Sequence, residues 1–210
     1  MTDYISTDEL AAYMQIGDAA DDAQLANAIT ASTVAINAWC ERDFTVASSS
    51  ASNRVYHTTD VWNLYTDDFT TVTAVTTDSG DNGTYDTVWT VTRDYVLYPL
   101  NGVVSGIAGW PYNHIASTGF RYFPISGLGS TLRPRVQITA TWGWAAVPDP
   151  VIQACYLKAA RIFRRFQAPE GAGGFTATGF AAPLIKTSIR EDPDVQMMLA
   201  PYRKLGAIVG

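Results

Sequence analysis

The sequence lacks an apolar run long enough to cross a lipid bilayer. Its 210 residues contain no hydrophobic stretch that approaches the roughly 20 residues a transmembrane helix needs. The segment Met1–Leu10 carries three acidic residues and no basic one, so it lacks the positive and apolar regions of a secretory signal. We therefore expect no membrane contact and a protein that is made and assembled in a cytoplasm.

Cysteine and histidine are also scarce, with two of each. Cys40 and Cys155 lie in predicted helices, where isolated thiols are typical of small buried side chains rather than of a disulfide framework. His57 and His114 have no cysteine close by in the sequence, so zinc-type ligand spacing is absent. Asp60 lies near His57 along the chain, a pairing that is more often structural than catalytic.

Motifs for phosphate binding and for nucleophilic catalysis are absent as well. The glycines of Gly171–Gly174 are not followed by the Lys-Ser/Thr pair of a phosphate-binding loop, and no Gly-x-Ser-x-Gly elbow occurs. The carboxylates of Asp67-Asp68 and of Glu191–Asp194 fit turns and helix caps more simply than a divalent cation site. We predict no catalytic residue, no metal ligand and no cofactor, and therefore a protein that is not an enzyme.

Acidic residues outnumber basic ones, and the two signs are unevenly distributed. The net charge is −6, with −12 carried by residues 1–100 and +6 by residues 101–210. An acidic chain is a poor candidate for gripping DNA, because phosphate binding needs clustered Lys and Arg. The asymmetry is typical of complementary surfaces, and it is equally consistent with charges that only solvate opposite ends of one monomer.

Two amphipathic helices are predicted near the start of the chain. Ser6-x-x-Glu9 has the form of a capping box, so a short helix begins there, and Gly17 is expected to end it. Asp21 or Asp22 can cap a longer helix that runs to about Arg42. Apolar residues recur in this second helix at the helical spacing of threes and fours: Leu25, Ile29, Ile36 and Trp39.

A third helix is predicted from Asp149-Pro150, where a capping residue precedes a proline suited to the first turn. One of its faces is apolar: Val151, Ala154, Cys155, Ile162 and Phe166. Another is basic: Lys158, Arg161, Arg164 and Arg165. Three interpretations of the basic face remain: a solvated surface near a helix C-terminus, contact with an acidic partner or a passing DNA backbone, and a salt-bridged contact between subunits.

The C-terminal region combines a glycine-rich segment with a further helix. The stretch Glu170–Gly179 holds glycines among small residues, which predicts a mobile loop. Leu184–Arg190 alternates like a short strand, and Asp192-Pro193 repeats the capping signal at the start of a last helix. We expect the apolar tail Leu205–Gly210 to become ordered only on assembly.

Strand-forming residues fill the middle of the chain. Arg135–Trp142 alternates polar and apolar side chains, Thr71–Thr76 behaves similarly, and Asn82-Gly83 is typical of a hairpin turn. The whole pattern predicts an α+β fold. In it about four helices from both chain ends form a helical core, residues 1–44 and 145–210, and residues 45–144 form an inserted antiparallel β domain.

Six segments at the two ends of the chain follow one another in an informative order: Ser6–Gly17, Ile36–Phe44, Val136–Pro148, Val151–Phe166, Glu191–Val195 and Leu199–Lys204. Each is common on its own. Their order and spacing resemble the head-to-tail adaptor family of tailed bacteriophages, the gp6-like head–tail connectors. The long β insertion and the glycine-rich loop depart from the smallest members of that family.

The resemblance implies a structural virion protein that forms a homo-oligomeric ring, a dodecamer matched to the portal. One side of such a ring binds the portal protein, the other binds a stopper or tail-completion protein, and genomic double-stranded DNA passes through the lumen without sequence-specific binding. The implied location is the virion neck, after assembly in the bacterial host cytoplasm. The residues we expect to contact partners are Lys158, Arg161, Arg164, Arg165, Gly173, Gly174, Phe175, Tyr202, Arg203, Lys204, Leu205 and Ile208.

The aromatic residues of the β domain keep a second function open: a ligand- or carbohydrate-binding β module on a helical support. Exposed rings would then stack on a ligand, and the candidates are Trp62, Trp89, Trp110 and Tyr112. This alternative predicts a soluble monomer with several exposed tryptophans, whereas the adaptor predicts assembly with a portal.

Overall fold

The computed structural model describes residues 2–17, 21–125, 133–167 and 192–204. The chain divides into two compact units, of which the first comprises Met1–Phe44 with Val147–Gly210 and the second comprises Thr45–Ala146. The described residues form four α-helices and an antiparallel sheet, which confirms the predicted α+β class. None of the helices in these ranges is long and apolar enough to span a membrane.

The first unit is helical. Its helices are α1 (Thr7–Met14), α2 (Asp22–Cys40), α3 (Asp149–Gln167) and α4 (Pro193–Leu199), and a 3₁₀ turn, Ala200–Tyr202, follows α4. α2 packs against α3, α1 contacts both of them, and α4 packs on α3. α3 is therefore the helix that contacts each of the other three.

Capping at the start of α1 follows the predicted pattern. The Ser6 hydroxyl accepts a hydrogen bond from the Glu9 backbone N–H at 3.2 Å, and the Glu9 carboxylate accepts one from the Ser6 N–H at 2.8 Å. This reciprocal pair satisfies two N–H groups that have no partner within the helix. The predicted end of α1 is wrong, because Gln15 (φ 59°) and not Gly17 adopts the left-handed conformation that terminates it.

The two longer helices depart from the sequence prediction at one point each. Asp21 occupies the N-cap of α2 without a side-chain capping hydrogen bond, and its carboxylate instead accepts one from the Gln167 amide at 3.2 Å. In α3, Phe166 was expected on the buried apolar face but is 64% exposed. The reason is its position in the last turn, residues 164–167, which is exposed throughout.

An aromatic cluster joins three segments of the first unit. The Phe44 ring packs edge-on against Tyr4 and Tyr202, with centroid distances of 6.1 and 6.0 Å. The Tyr4 hydroxyl donates a hydrogen bond to the Asn37 side-chain oxygen and accepts one from the Phe44 N–H. Because edge-to-face aromatic pairs stabilise beyond their buried area, the cluster holds the segment after α4 against the end of α2.

The second unit is built on an antiparallel sheet. Its strands are β1 (Ser52–Tyr56), β2 (Asn63–Thr77), β3 (Thr87–Trp89), β4 (Tyr95–Tyr98), β7 (Tyr112–Ser117) and β8 (Val136–Trp142), and a separate two-stranded pair is formed by β5 (Val103–Val104) and β6 (Ile107–Ala108). The order in the sheet is β1-β8-β2-β7-β4, with β3 paired to β2. β2 carries two register shifts against β8, which bend the sheet around its own core.

Strand β8 alternates as its sequence predicts. Its buried residues are Val136, Ile138, Ala140 and Trp142, and the residues between them are partly exposed. The buried set joins a core with side chains from four other strands and one loop: Leu64, Phe69, Val75, Trp89, Tyr95, Ile115 and Phe123. One face of β8 therefore packs into the hydrophobic core of this unit.

The connection between β2 and β3 is longer than the predicted hairpin turn. Thr77 pairs with Thr87, so nine residues separate the strands and Asn82-Gly83 lies inside a loop. The Asp78 carboxylate is buried and accepts hydrogen bonds from the N–H groups of Asn82 at 3.1 Å and Gly83 at 2.7 Å. A side chain, rather than a two-residue turn, therefore organises this loop.

The chain enters and leaves the second unit through paired segments. The Ala47 N–H donates to the Trp144 carbonyl oxygen at 2.7 Å, and the Trp144 N–H donates to the Thr45 carbonyl oxygen at 3.0 Å. Gly143 (φ 119°) permits this approach, because a Cβ atom at this position would lie 2.5 Å from the Thr45 carbonyl oxygen. No larger residue fits there without a shift of the backbone.

We expect Gly143→Ala to lower the free energy of unfolding by about 3 kcal/mol or more, because it combines an unfavourable φ with a backbone clash. Gly106→Ala is the matched control: its φ is also positive (80°), but no atom lies within 4 Å of the added methyl, so its cost should be about 1–2 kcal/mol. Urea denaturation followed by tryptophan fluorescence measures both. Equal losses would show that the close approach at Gly143 is unimportant.

Candidate assembly surfaces

The four basic residues predicted on one face of α3 have different environments. Lys158 is buried, with 6% of its surface exposed, and this burial, with a smaller contribution from the nearby Arg161, lowers the pKa of its ammonium group. Arg161 is partly buried, whereas Arg164 and Arg165 are exposed. The sequence spacing of these four residues places them within an arc of about 120° around the helix. Spacing alone does not determine which part of that arc packs against the core.

Arg161 is engaged within the helical unit. Its guanidinium forms an ion pair with Asp192 and a second one, at 3.6 Å, with Asp194. The nearly buried Asp192 carboxylate also caps α4 by accepting a hydrogen bond from the Val195 N–H at 3.4 Å, which confirms the capping role predicted from Asp192-Pro193. The ion pair therefore fixes the start of α4 against α3. Sequence reasoning noticed these acidic residues but did not connect them with Arg161.

The predicted contact residues after α4 make contacts within the first unit. Tyr202 is buried in the aromatic cluster, with 3% of its surface exposed. The Arg203 guanidinium stacks over the Trp39 ring at 5.1 Å and remains exposed. The Lys204 N–H donates to the Cys40 carbonyl oxygen at 2.8 Å. Of these three, the side chain most accessible to a partner is that of Arg203.

Five further contact predictions lie outside the described residues: Gly173, Gly174, Phe175, Leu205 and Ile208. The predicted strand Leu184–Arg190, the glycine-rich stretch before it and the C-terminal tail also lie outside them. These stay predictions.

Two of the tryptophans considered for ligand stacking are core residues. Trp89 and Trp110 are 4% and 6% exposed, and the Trp89 indole N–H donates to the Thr77 hydroxyl at 3.1 Å. Tyr112 is partly buried, and Trp62 is 46% exposed. The alternative of a ligand-binding β module expected several exposed tryptophans in this unit, and that expectation is wrong for Trp89 and Trp110.

Exposed rings on the sheet stack on one another. The centroid of the Tyr65 ring lies 4.6 Å from that of the His114 ring, at an interplanar angle of 13°. The Tyr98 ring also contacts His114, with a centroid distance of 5.3 Å and an interplanar angle of 33°. The His114 ring nitrogen is hydrogen-bonded to the Asn63 side chain at 3.0 Å, and burial lowers the pKa of its imidazole. One face of the Tyr65 ring is therefore covered by the imidazole, while the ring as a whole is still 67% exposed.

The described carboxylates that were considered for metal binding or catalysis have structural partners, and Glu191 lies outside the described residues. Asp67 pairs with Arg54 at 2.6 Å, and the Asp68 carboxylate accepts a hydrogen bond from the Trp144 indole N–H at 3.1 Å. Asp60 accepts one from a backbone N–H two residues later. Among the described residues, no group of three or more His, Cys, Asp or Glu is placed to hold a metal ion.

Both cysteines are free and buried, as predicted. The Thr33 hydroxyl lies 4.0 Å from the Cys155 sulfur, across the packed pair α2 and α3. Burial raises the pKa of the Cys40 and Cys155 thiols to about 12. The thiols are therefore small core side chains that carry almost no thiolate at neutral pH.

We expect neither thiol to react with a disulfide reagent such as DTNB in the folded protein at pH 8, whereas urea-unfolded chains should release two equivalents. The raised thiol pKa values also make the free energy of unfolding depend on pH. The stability that the two buried thiols contribute is complete below their unfolded pKa of about 8.5. It is lost as the pH rises toward about 12. Rapid labelling of the folded protein would contradict this burial.

We expect Arg161→Gln to lower the free energy of unfolding by about 2 kcal/mol, because it leaves the nearly buried Asp192 carboxylate without its counter-charge. Arg164→Gln removes the same charge from an exposed position of the same helix and should change stability by about 0.5 kcal/mol or less. Chemical denaturation measures both variants. A loss at Arg164 as large as that at Arg161 would argue against the ion pair as an anchor of α4.

No family model and no curated protein matches this chain. Its fold is shared with chains of solved gene transfer agent (GTA) particles. The matching chain in the neck of an empty GTA particle, computed with C6 symmetry, is 17% identical at a TM-score of 0.51, and the match covers 99% of this chain and 93% of that one. For the neck of a native GTA particle, computed with C12 symmetry, the values are 19%, 0.52, 100% and 96%.

A chain in the virion of a native GTA particle is similar to the same degree, with 19% identity, a TM-score of 0.51, and coverage of 99% of this chain and 93% of that chain. The likeness thus extends over essentially the full length of the chain rather than over one unit. At this level of identity it shows a shared fold.

Proposed function

We propose that this chain is a structural neck protein of a phage-like particle, and more specifically a head-to-tail adaptor. Its subunits form a ring between the portal protein and a stopper or tail-completion protein. The role is mechanical rather than catalytic, since the ring extends the DNA channel and offers a docking surface to the next neck protein. Its place is the virion neck, reached after assembly in a bacterial host cytoplasm.

The observation that carries the proposal is the full-length likeness to chains of GTA necks, which were computed with C6 and C12 symmetry. A chain repeated around a cyclic axis forms a closed ring when one patch of each copy meets a different patch of the next. We therefore assign a ring, of dodecameric size, to this protein as well.

The distribution of charge supports a lumen that lets DNA slide. The net charge is −6, and phosphate binding needs clustered cations. The basic residues of α3 offer few of them, because Lys158 is buried and Arg161 is paired with acidic residues of α4. In this proposal genomic double-stranded DNA passes through the ring without sequence-specific binding. The exposed Arg164, Arg165 and Arg203 contact neighbouring proteins.

Co-expression with the portal protein encoded near this chain tests the proposal directly. We expect negative-stain images to show an additional ring seated on the narrow end of the portal, with the symmetry of the portal. Portal expressed alone, and portal expressed with an unrelated acidic protein of similar size, are the controls. Bare portals beside unattached monomers would count against the adaptor role.

A further inference from the structure

The solvent side of α2 carries no charge after its first residue, Asp22. We use the term α2 outer face for the exposed residues opposite the buried Leu25, Ile29 and Ile36. The residues of this face are Ala23, Asn27, Thr30, Ala31, Val34 and Ala38. From Ala23 to Cys40 the helix contains no charged residue at all. The other long helix, α3, is also 19 residues long, but it includes Asp149 and four basic residues.

An uncharged helix face is unusual for a surface that stays in water. Soluble domains expose roughly 25–35% charged residues, and depletion of charge is instead a property of the central part of protein–protein interfaces. Val34 in the middle of the α2 outer face is 48% exposed. The face therefore has the composition of a surface that is covered in an assembly.

A surface of opposite character lies at the end of α3. Its last turn exposes Arg164 and Arg165 beside the 64% exposed Phe166. The α2 outer face, in contrast, is bordered by acidic residues. Asp22 lies at its start, and the Asp3 carboxylate accepts a hydrogen bond from the Thr30 hydroxyl at 3.0 Å. The two surfaces are complementary in charge.

The two surfaces also lie at the same level of the helical unit. The 3.2 Å hydrogen bond from Gln167 to Asp21 places the last turn of α3 beside the first turn of α2. A rotation about a cyclic axis moves a patch around the axis but not along it, so surfaces that meet in a ring must lie at equal heights. A ring whose axis runs along the helix pair therefore brings the last turn of α3 in one copy to the level of the acidic start of the α2 outer face in the next.

We propose that the α2 outer face is the subunit contact of the ring. Its start receives the last turn of α3 from a neighbouring copy of this chain, and the same copy covers the rest of the face as far as Val34, about three turns further along α2. Phe166 packs on the small side chains near Ala23, and Arg164 and Arg165 approach Asp3 and Asp22. This inference rests on the proposed ring and supplies the pair of surfaces that closes it. An uncharged centre with opposite charges at its border lets copies with a net charge of −6 meet without like charges facing each other.

Val34→Glu tests the contact, because it adds a carboxylate to the centre of the face and leaves the core untouched. Val88→Glu is the matched control, since Val88 is 63% exposed on the second unit and undergoes the same change. Both variants should fold as monomers with wild-type circular dichroism. On the portal, we expect Val34→Glu to need about tenfold or more protein for half-maximal ring formation, and Val88→Glu to behave as wild type.

A paired cysteine experiment tests the direction of the contact. The native thiols are buried, so cysteines added by Ala23→Cys and Phe166→Cys are the reactive ones. Mild oxidation of portal-bound rings should link the double variant into a ladder of multimers. Each single variant should stay monomeric on a non-reducing gel, because the proposed contact joins two different patches.

The outcomes separate this inference from the proposed function. Intact rings with Val34→Glu, or a double variant that forms no multimers within intact rings, would overturn the contact but leave the adaptor role standing. Rings of Val34→Glu that form but no longer attach to the portal would assign the face to the portal instead, which also overturns the inference. Failure of the wild-type protein to form any ring would remove the proposed function, and the inference with it.

Discussion

The packing of α2 against α3 is the contact on which the helical unit depends. It brings together residues as far apart as Thr33 and Cys155, 122 positions along the chain. α1 rests on both helices, and α4 is tied to α3 through the Arg161–Asp192 ion pair. Because each smaller helix is short for independent stability in water, the α2–α3 pair supplies the surface on which they become helical.

The parts of this unit that could be predicted are those with a local cause. The capping box at Ser6 and the Asp192-Pro193 start of α4 are fixed by hydrogen bonds within one turn, so the sequence contains all that is needed. Burial at the edges of α3 could not be predicted. Lys158 and Phe166 exchange their expected environments because helical spacing gives an angle around the axis, whereas burial also depends on which neighbours are present at each level.

The same distinction holds for the β unit and for the candidate surfaces. Alternation along β8 predicted its buried face, since a strand has one period and one register against its neighbour. The roles of Trp89 and Asp78 depended on partners that only the folded sheet brings close, a hydroxyl on β2 and two backbone N–H groups in a loop. The uncharged side of α2 was present in the sequence, but its meaning required knowing which residues of that helix face outward.

The pairing of Thr45 and Ala47 with Trp144 has a consequence for the order in which the chain folds. Between the end of α2 and the start of α3 lie 108 residues, and the entropy lost on closing such a connection grows with the logarithm of its length. Once the β unit has formed and its ends are held together, fewer than ten residues outside it still separate the two helices. The entropic cost of bringing α3 to α2 then falls by roughly 2 kcal/mol. A β unit that folds first thus makes it easier for the two helices that flank it to find each other and pack.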